Sequence, residues 1–115
     1  MKENNFITLK NENTVVRLNC SNIVAVKVES GICEFICNSG KNFSKAISLK
    51  KAVALFPNCL VQIDRNTAIN HNLIQEVNTK TRVVTLPNNM QFRASHRNIG
   101  KIMQTLSLML ATLVA

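Results

Sequence analysis

The sequence predicts a mostly β domain with one short internal helix and a longer C-terminal helix, and three observations carry that expectation. Apolar and polar residues alternate in short runs through most of the chain, and clusters of Asn, Ser, Gly and Pro separate those runs. Only the last stretch changes to a helical period. The chain has 115 residues, of which 46% are hydrophobic and 17% charged, enough for one domain with its own core and far from the composition of disordered chains.

Residues 14–19 and 23–28 read as strands, with polar residues 19–22 as the turn between them. Residues 32–37 are apolar with aromatic Phe35, Asn38-Ser39-Gly40-Lys41 supplies turn chemistry, and residues 42–45 resume an extended pattern, which predicts a hairpin. Ser48 offers an N-cap to a short helix through Phe56, with Leu49, Ala52, Val53 and Phe56 on one stripe and Pro57-Asn58 as the stop. Residues 60–63 and 73–77 are short strands flanking a polar stretch, 64–72, that only Ala68 and Ile69 interrupt. Residues 82–86 and 90–94 make a last hairpin around Pro87-Asn88-Asn89. Ile99, Ile102, Met103, Leu106, Met109, Leu110 and Leu113 then recur at helical spacing, with Ser95 as the cap. Residues 106–115 are nearly all apolar, yet too few for the roughly 20 that cross a bilayer. Packing on the sheet, an exposed dimer face and interfacial membrane contact all fit that tail, the first best.

Fourteen Lys and Arg against six Asp and Glu give a formal charge of +8. No acid follows Glu76, whereas Lys80, Arg82, Arg93, Arg97 and Lys101 do, so the C-terminal third is purely cationic. Such a surface favours a polyanion, although a solvated basic face has the same composition. Lys80 and Arg82, in or near a hairpin, read as no more than a long-range field. Catalysis finds little to work with: one aspartate, Asp64, two histidines and no Gly-rich phosphate loop. RNA stacking platforms need exposed aromatics, and the chain has no Trp or Tyr and only five Phe. Cys20, Cys33, Cys37 and Cys59 lack zinc-site spacing, so no metal or other cofactor is expected. Cys33, Phe35 and Cys37 would share one strand face as core residues. The thiols are expected unpaired and the N-terminus lacks a signal-peptide core, which together point to the cytoplasm.

Two stretches go further. Residues 60–74, which include Asp64-Arg65-Asn66 and Ile69-Asn70, and residues 92–102, which include Ser95-His96-Arg97-Asn98, resemble the LytTR DNA-binding domain of bacterial transcriptional regulators. Arg65 stands where that family has arginine in its His-Arg-Ser segment, Asn66 where it has serine, Ile69-Asn70 where it has Val-Asn, and Ser95 and Arg97 match its Ser-x-Arg motif. Residues 22–28 and 49–56 resemble its strand and short leucine-bearing helix. The chain departs from the pattern at Asp64 for histidine, Thr67-Ala68 for an aromatic pair, Lys27 near the usual glutamate and Asn89 for a turn glycine. An acid at Asp64 can pair with Arg65 and draw its fork away from phosphate.

The resemblance implies a compact, largely antiparallel fold of LytTR type over residues 7–106, preceded by an arm, 1–6, and followed by the apolar helix end, 107–115. It implies double-stranded DNA as the partner, read in the major groove by loops, with two copies side by side on direct repeats, and no small-molecule substrate. Three regions would approach DNA: the loop holding Ser30 and Gly31, the Arg65-Asn66 segment, and Ser95-His96-Arg97-Asn98 with Lys101. Arg97 is the strongest candidate, since its fork suits guanine or phosphate at the positive end of a helix. Lys101, one turn on, suits phosphate. Asn70 is expected to brace its own turn. The family commonly carries a receiver domain, so the sequence reads as a stand-alone regulator without a phosphorylation switch. The alternative is a protein-interaction module, an anti-activator or dimerisation partner acting through the apolar C-terminal helix.

Overall fold

The apolar run of residues 23–26 organises the molecule. The computed structural model describes residues 6–11 and 13–114, with side chains described over 7–10 and 13–106. In chain order the strands are β1 (Phe6–Asn11), β2 (Thr14–Asn19), β3 (Ile23–Glu29), β4 (Ile32–Cys37), β5 (Asn42–Lys45), β6 (Leu60–Asp64), β7 (Thr67–Asn70), β8 (Glu76–Asn78), β9 (Val83–Leu86) and β10 (Met90–Arg93). Two α-helices, α1 (Leu49–Leu55) and α2 (His96–Val114), complete the described elements. β3 is the middle strand of a five-stranded antiparallel sheet ordered β5-β4-β3-β7-β6. Ile23, Val24, Ala25 and Val26 are all buried there, as expected of a strand covered on both faces.

Each face of that sheet has its own core. One holds Ile23, Val26, Cys33, Phe35, Cys37, Leu60 and Ala68, covered by Leu9 and Leu18 of the β1–β2 hairpin and by Leu49, Ala52 and Phe56 of α1 and its C-terminus. The other holds Val24, Ala25, Ile63 and Ile69, covered by Val84 and Leu86 of the β10-β9-β8 sheet and by Ala94 and Ile102. A bulge between Ile23 and Ala25 turns two consecutive residues, Val24 and Ala25, to the second face. The mostly β architecture, the α1 cap, in which Ser48 Oγ accepts from Lys51 N at 3.1 Å, and the long terminal helix all match expectation. So does the placing of Cys33, Phe35 and Cys37, all buried on one face; burial also pushes the two thiols above their ordinary range. Ile102 is buried on the helical stripe, with Ile99 and Leu106 packed beside it.

Several expectations are corrected. β2 pairs with β1 and not with β3, because residues 20–22 form a tight 3-10 turn that redirects the chain between sheets. The polar stretch 64–72 contains β7, an interior strand: Thr67, Ala68, Ile69 and Asn70 are all buried, and Asn70 survives burial because its amide is hydrogen-bonded. Extended structure predicted over 73–77 begins only at Glu76, since residues 71–73 form a 3-10 turn capped by Asn70. The thiols of Cys20 and Cys59 are not free: the two residues form a disulfide across 39 positions, their Cα atoms 6.3 Å apart. Pairing of β3 with β7 and of β7 with β6 brings these distant positions together, which spacing along the chain does not reveal. The expected arm, 1–6, lies outside the described residues except that Phe6 opens β1, and the side chains of 107–115 lie outside them too.

Candidate nucleic-acid interface

Three turns meet at one edge of the central sheet. The β3–β4 connection is two residues, Ser30 (φ 53°) and Gly31 (φ 79°), both left-handed, the backbone of a type I′ hairpin. Beside it the β6–β7 turn is fixed by Asp64, whose Oδ1 accepts from Asn66 N at 2.8 Å, and by Val28 N, which donates to Asn66 O at 2.8 Å. On its other flank, Ser95 N donates to Ile63 O at 2.8 Å, tying the start of α2 to the end of β6. Antiparallel pairing therefore places side by side segments some thirty residues apart in sequence.

Between the last two turns lies an open cleft of about 830 Å³ lined by Gln62, Asp64, Arg65, Asn66, Ser95, His96, Arg97, Asn98 and Lys101. Seven of the predicted site residues thus converge: Arg65, Asn66, Ser95, His96, Arg97, Asn98 and Lys101. Ser30 and Gly31 do not line it; their turn borders a separate depression with Lys27, Glu29 and Glu34. Arg65, His96, Arg97 and Lys101 are exposed, so their side chains are available to a large ligand. Asp64 spends a carboxylate oxygen on the Asn66 amide, and among the described residues it forms no ion pair with Arg65, contrary to the expected competition.

The start of α2 presents donors and positive charge. Ser95 Oγ accepts from Asn98 N at 3.2 Å and from Asn98 Nδ2 at 2.9 Å, and the first turn contains no acid. The cap leaves other N–H groups of that turn directed along the helix axis, where the macrodipole is positive, with Arg97 and Lys101 adding full charges. Asn98 is held by this cap, so its amide acts first as a brace. Asn70 does what was expected and more: its Oδ1 accepts from Asn72 N, and its Nδ2 donates to Cys20 O and Ile23 O, both at 2.9 Å. His71, next to it, has a buried Nδ1 without a partner among the described residues; desolvation lowers its pKa, opposed by a hydrogen bond to the Asn58 backbone.

Two residues escaped sequence reasoning. Gln62 lines the cleft, and the signal was a lone amide in the otherwise apolar run of β6. Arg82, expected to supply only field, donates from Nε to Ala94 O at 3.0 Å, directly before the cap of α2. Among the described residues no three of His, Cys, Asp and Glu gather, and no helix is long and apolar enough to cross a membrane.

Comparisons with known proteins agree with the fold. No curated protein matches the sequence. A solved structure does: the LytTr DNA-binding domain of a Bacillus cereus protein described as a methyl-accepting/DNA response regulator superposes with a TM-score of 0.75 at 15% identity, covering 90% of this chain and 98% of that one, which establishes a shared fold. The family model of the LytTr DNA-binding domain matches residues 13–107. The chain therefore belongs to the LytTR family of DNA-binding domains.

Proposed function

We propose that this protein is a sequence-specific transcriptional regulator that docks its cleft edge on duplex DNA and reads the major groove through turns, not through an inserted helix. The observation that supports this most is the convergence of Arg65, His96, Arg97 and Lys101 around one open cleft at the capped start of α2. Arg97 carries base readout, its fork matching guanine O6 and N7; Arg65 and Lys101 take phosphate; Asn66 serves adenine or phosphate. The type I′ turn of Ser30 and Gly31 approaches the neighbouring backbone with main-chain N–H groups and little side-chain bulk. The binding unit is residues 7–106, supported by the family match over 13–107. Two copies occupy direct repeats, and a DNA partner places the protein in the compartment of the chromosome.

Selection of bound sequences from a random duplex library tests this reading as a whole. The expected outcome is an enriched motif repeated in the same orientation at a fixed spacing. Recovery of unenriched sequence, with affinity governed by salt alone, would reject base readout.

A further inference from the structure

We propose that Arg82 is a positioning residue for the DNA-facing turn: it fixes the start of α2 from behind, and so sets where Arg97 points, without touching DNA itself. The proposal rests on the reading of the cleft as the DNA site. Arg82 sits at φ 63°, a left-handed backbone that costs a non-glycine residue and that glycine adopts freely. The β8–β9 turn imposes it: Asn78 Oδ1 accepts from Lys80 N and Thr81 N, each at 3.0 Å, and Asn78 O accepts from Arg82 N at 2.7 Å. A turn that asked only for backbone conformation would be better served by glycine. What the arginine adds is its side chain, and Nε donates at 3.0 Å to Ala94 O.

Ala94 is fully buried, and its own N–H donates to Arg82 O at 2.9 Å, so the two residues clasp each other at two points. The next amide, Ser95 N, reaches Ile63 O on β6, and Ser95 then caps the helix that bears His96, Arg97 and Lys101. The segment entering α2 is thus bound to the β8–β9 turn on one side and to β6 on the other. Removing the guanidinium leaves a buried carbonyl one residue before the cap without its side-chain donor.

The test compares Arg82→Gly, which relieves the backbone and removes the donor, with Arg82→Lys, which keeps the charge but not the Nε geometry. In protein alone, hydrogen exchange of the Ser95 amide should accelerate about 5- to 10-fold in both variants, while the Val28 amide on the far side of the β6–β7 turn stays unchanged. The thermal midpoint of Arg82→Gly should stay close to wild type, relief of the left-handed backbone offsetting the lost hydrogen bond. Affinity for the library-selected duplex should fall about tenfold in both, with the slope of log affinity against log salt unaltered. Unchanged Ser95 exchange, or unchanged affinity for that duplex, would overturn the proposal. So would rescue by Arg82→Lys, which would show a field effect, or a slope reduced by about 0.9, which would show a phosphate contact. If the wild-type protein itself shows no duplex preference, the functional reading fails, and Ser95 exchange alone decides the clasp.

Discussion

Two asparagines four residues apart, Asn66 and Asn70, stand at opposite ends of β7 in opposite circumstances. Asn66 is exposed in the turn that borders the cleft, and its backbone is held by Asp64 and Val28 while its side chain faces outward. Asn70 is 1% exposed, and its amide binds three backbone groups from three segments. The same residue type is exposed to solvent at one end and serves as an internal rivet at the other. One short strand therefore separates the turn proposed to meet DNA from the part that holds the scaffold together.

The sharpest way to break this contrast is to make the same substitution at both ends. Asn70→Ala removes the side-chain donor from the carbonyls of Cys20 and Ile23 and uncaps the following turn, and should cost about 2–4 kcal/mol in urea unfolding. Asn66→Ala should stay within about 0.5 kcal/mol of wild type by the same measurement. Comparable losses at the two positions would erase the distinction. At the cleft end, Arg97→Ala should cost about 1–3 kcal/mol in affinity for the preferred duplex and relax the preference at one base pair, with folding intact, as read by gel-shift titration. Lys101→Ala should weaken binding to all duplexes and lower the salt slope by about 0.9 without changing the preference.

The scaffold end also carries a pH signature. Burial holds the His71 imidazole below its ordinary value of 6.5, so the unfolded chain takes up a proton more readily than the native one. The stability associated with this group is full above that value and declines as pH falls through it, levelling only below the native pKa. Urea unfolding between pH 7.5 and 5 should show that decline, and His71→Gln should flatten it. A stability that rises on acidification would contradict the placement of His71.

Much of this organisation was legible in the residues. Alternation located β2, β3, β4 and β6, Ser48 and Ser95 announced their helices, and the Asp64-Arg65-Asn66 and Ser95-x-Arg97 segments carried the family resemblance. What stayed hidden depends on long-range pairing. β7 was concealed because Thr67 and Asn70 look like loop residues, and only the carbonyls of Cys20 and Ile23, distant in sequence, satisfy the buried Asn70 amide. The Cys20–Cys59 link and the Arg82 clasp join positions that only the folded topology brings into contact. β1 was missed because Phe6-Ile7-Thr8-Leu9 is a short run between polar residues, and its strand is fixed by pairing with β2, where Leu9 and Leu18 are both buried.

Mapping backbone amide shifts during titration with a duplex tests the central claim most directly. The account predicts that the largest shifts fall on Arg65, Asn66 and Ser95 through Asn98 with Lys101, that Ser30 and Gly31 follow, and that Asn70 and His71 stay silent. Shifts centred on the Asn70 end of β7, or spread evenly over every lysine and arginine, would contradict it.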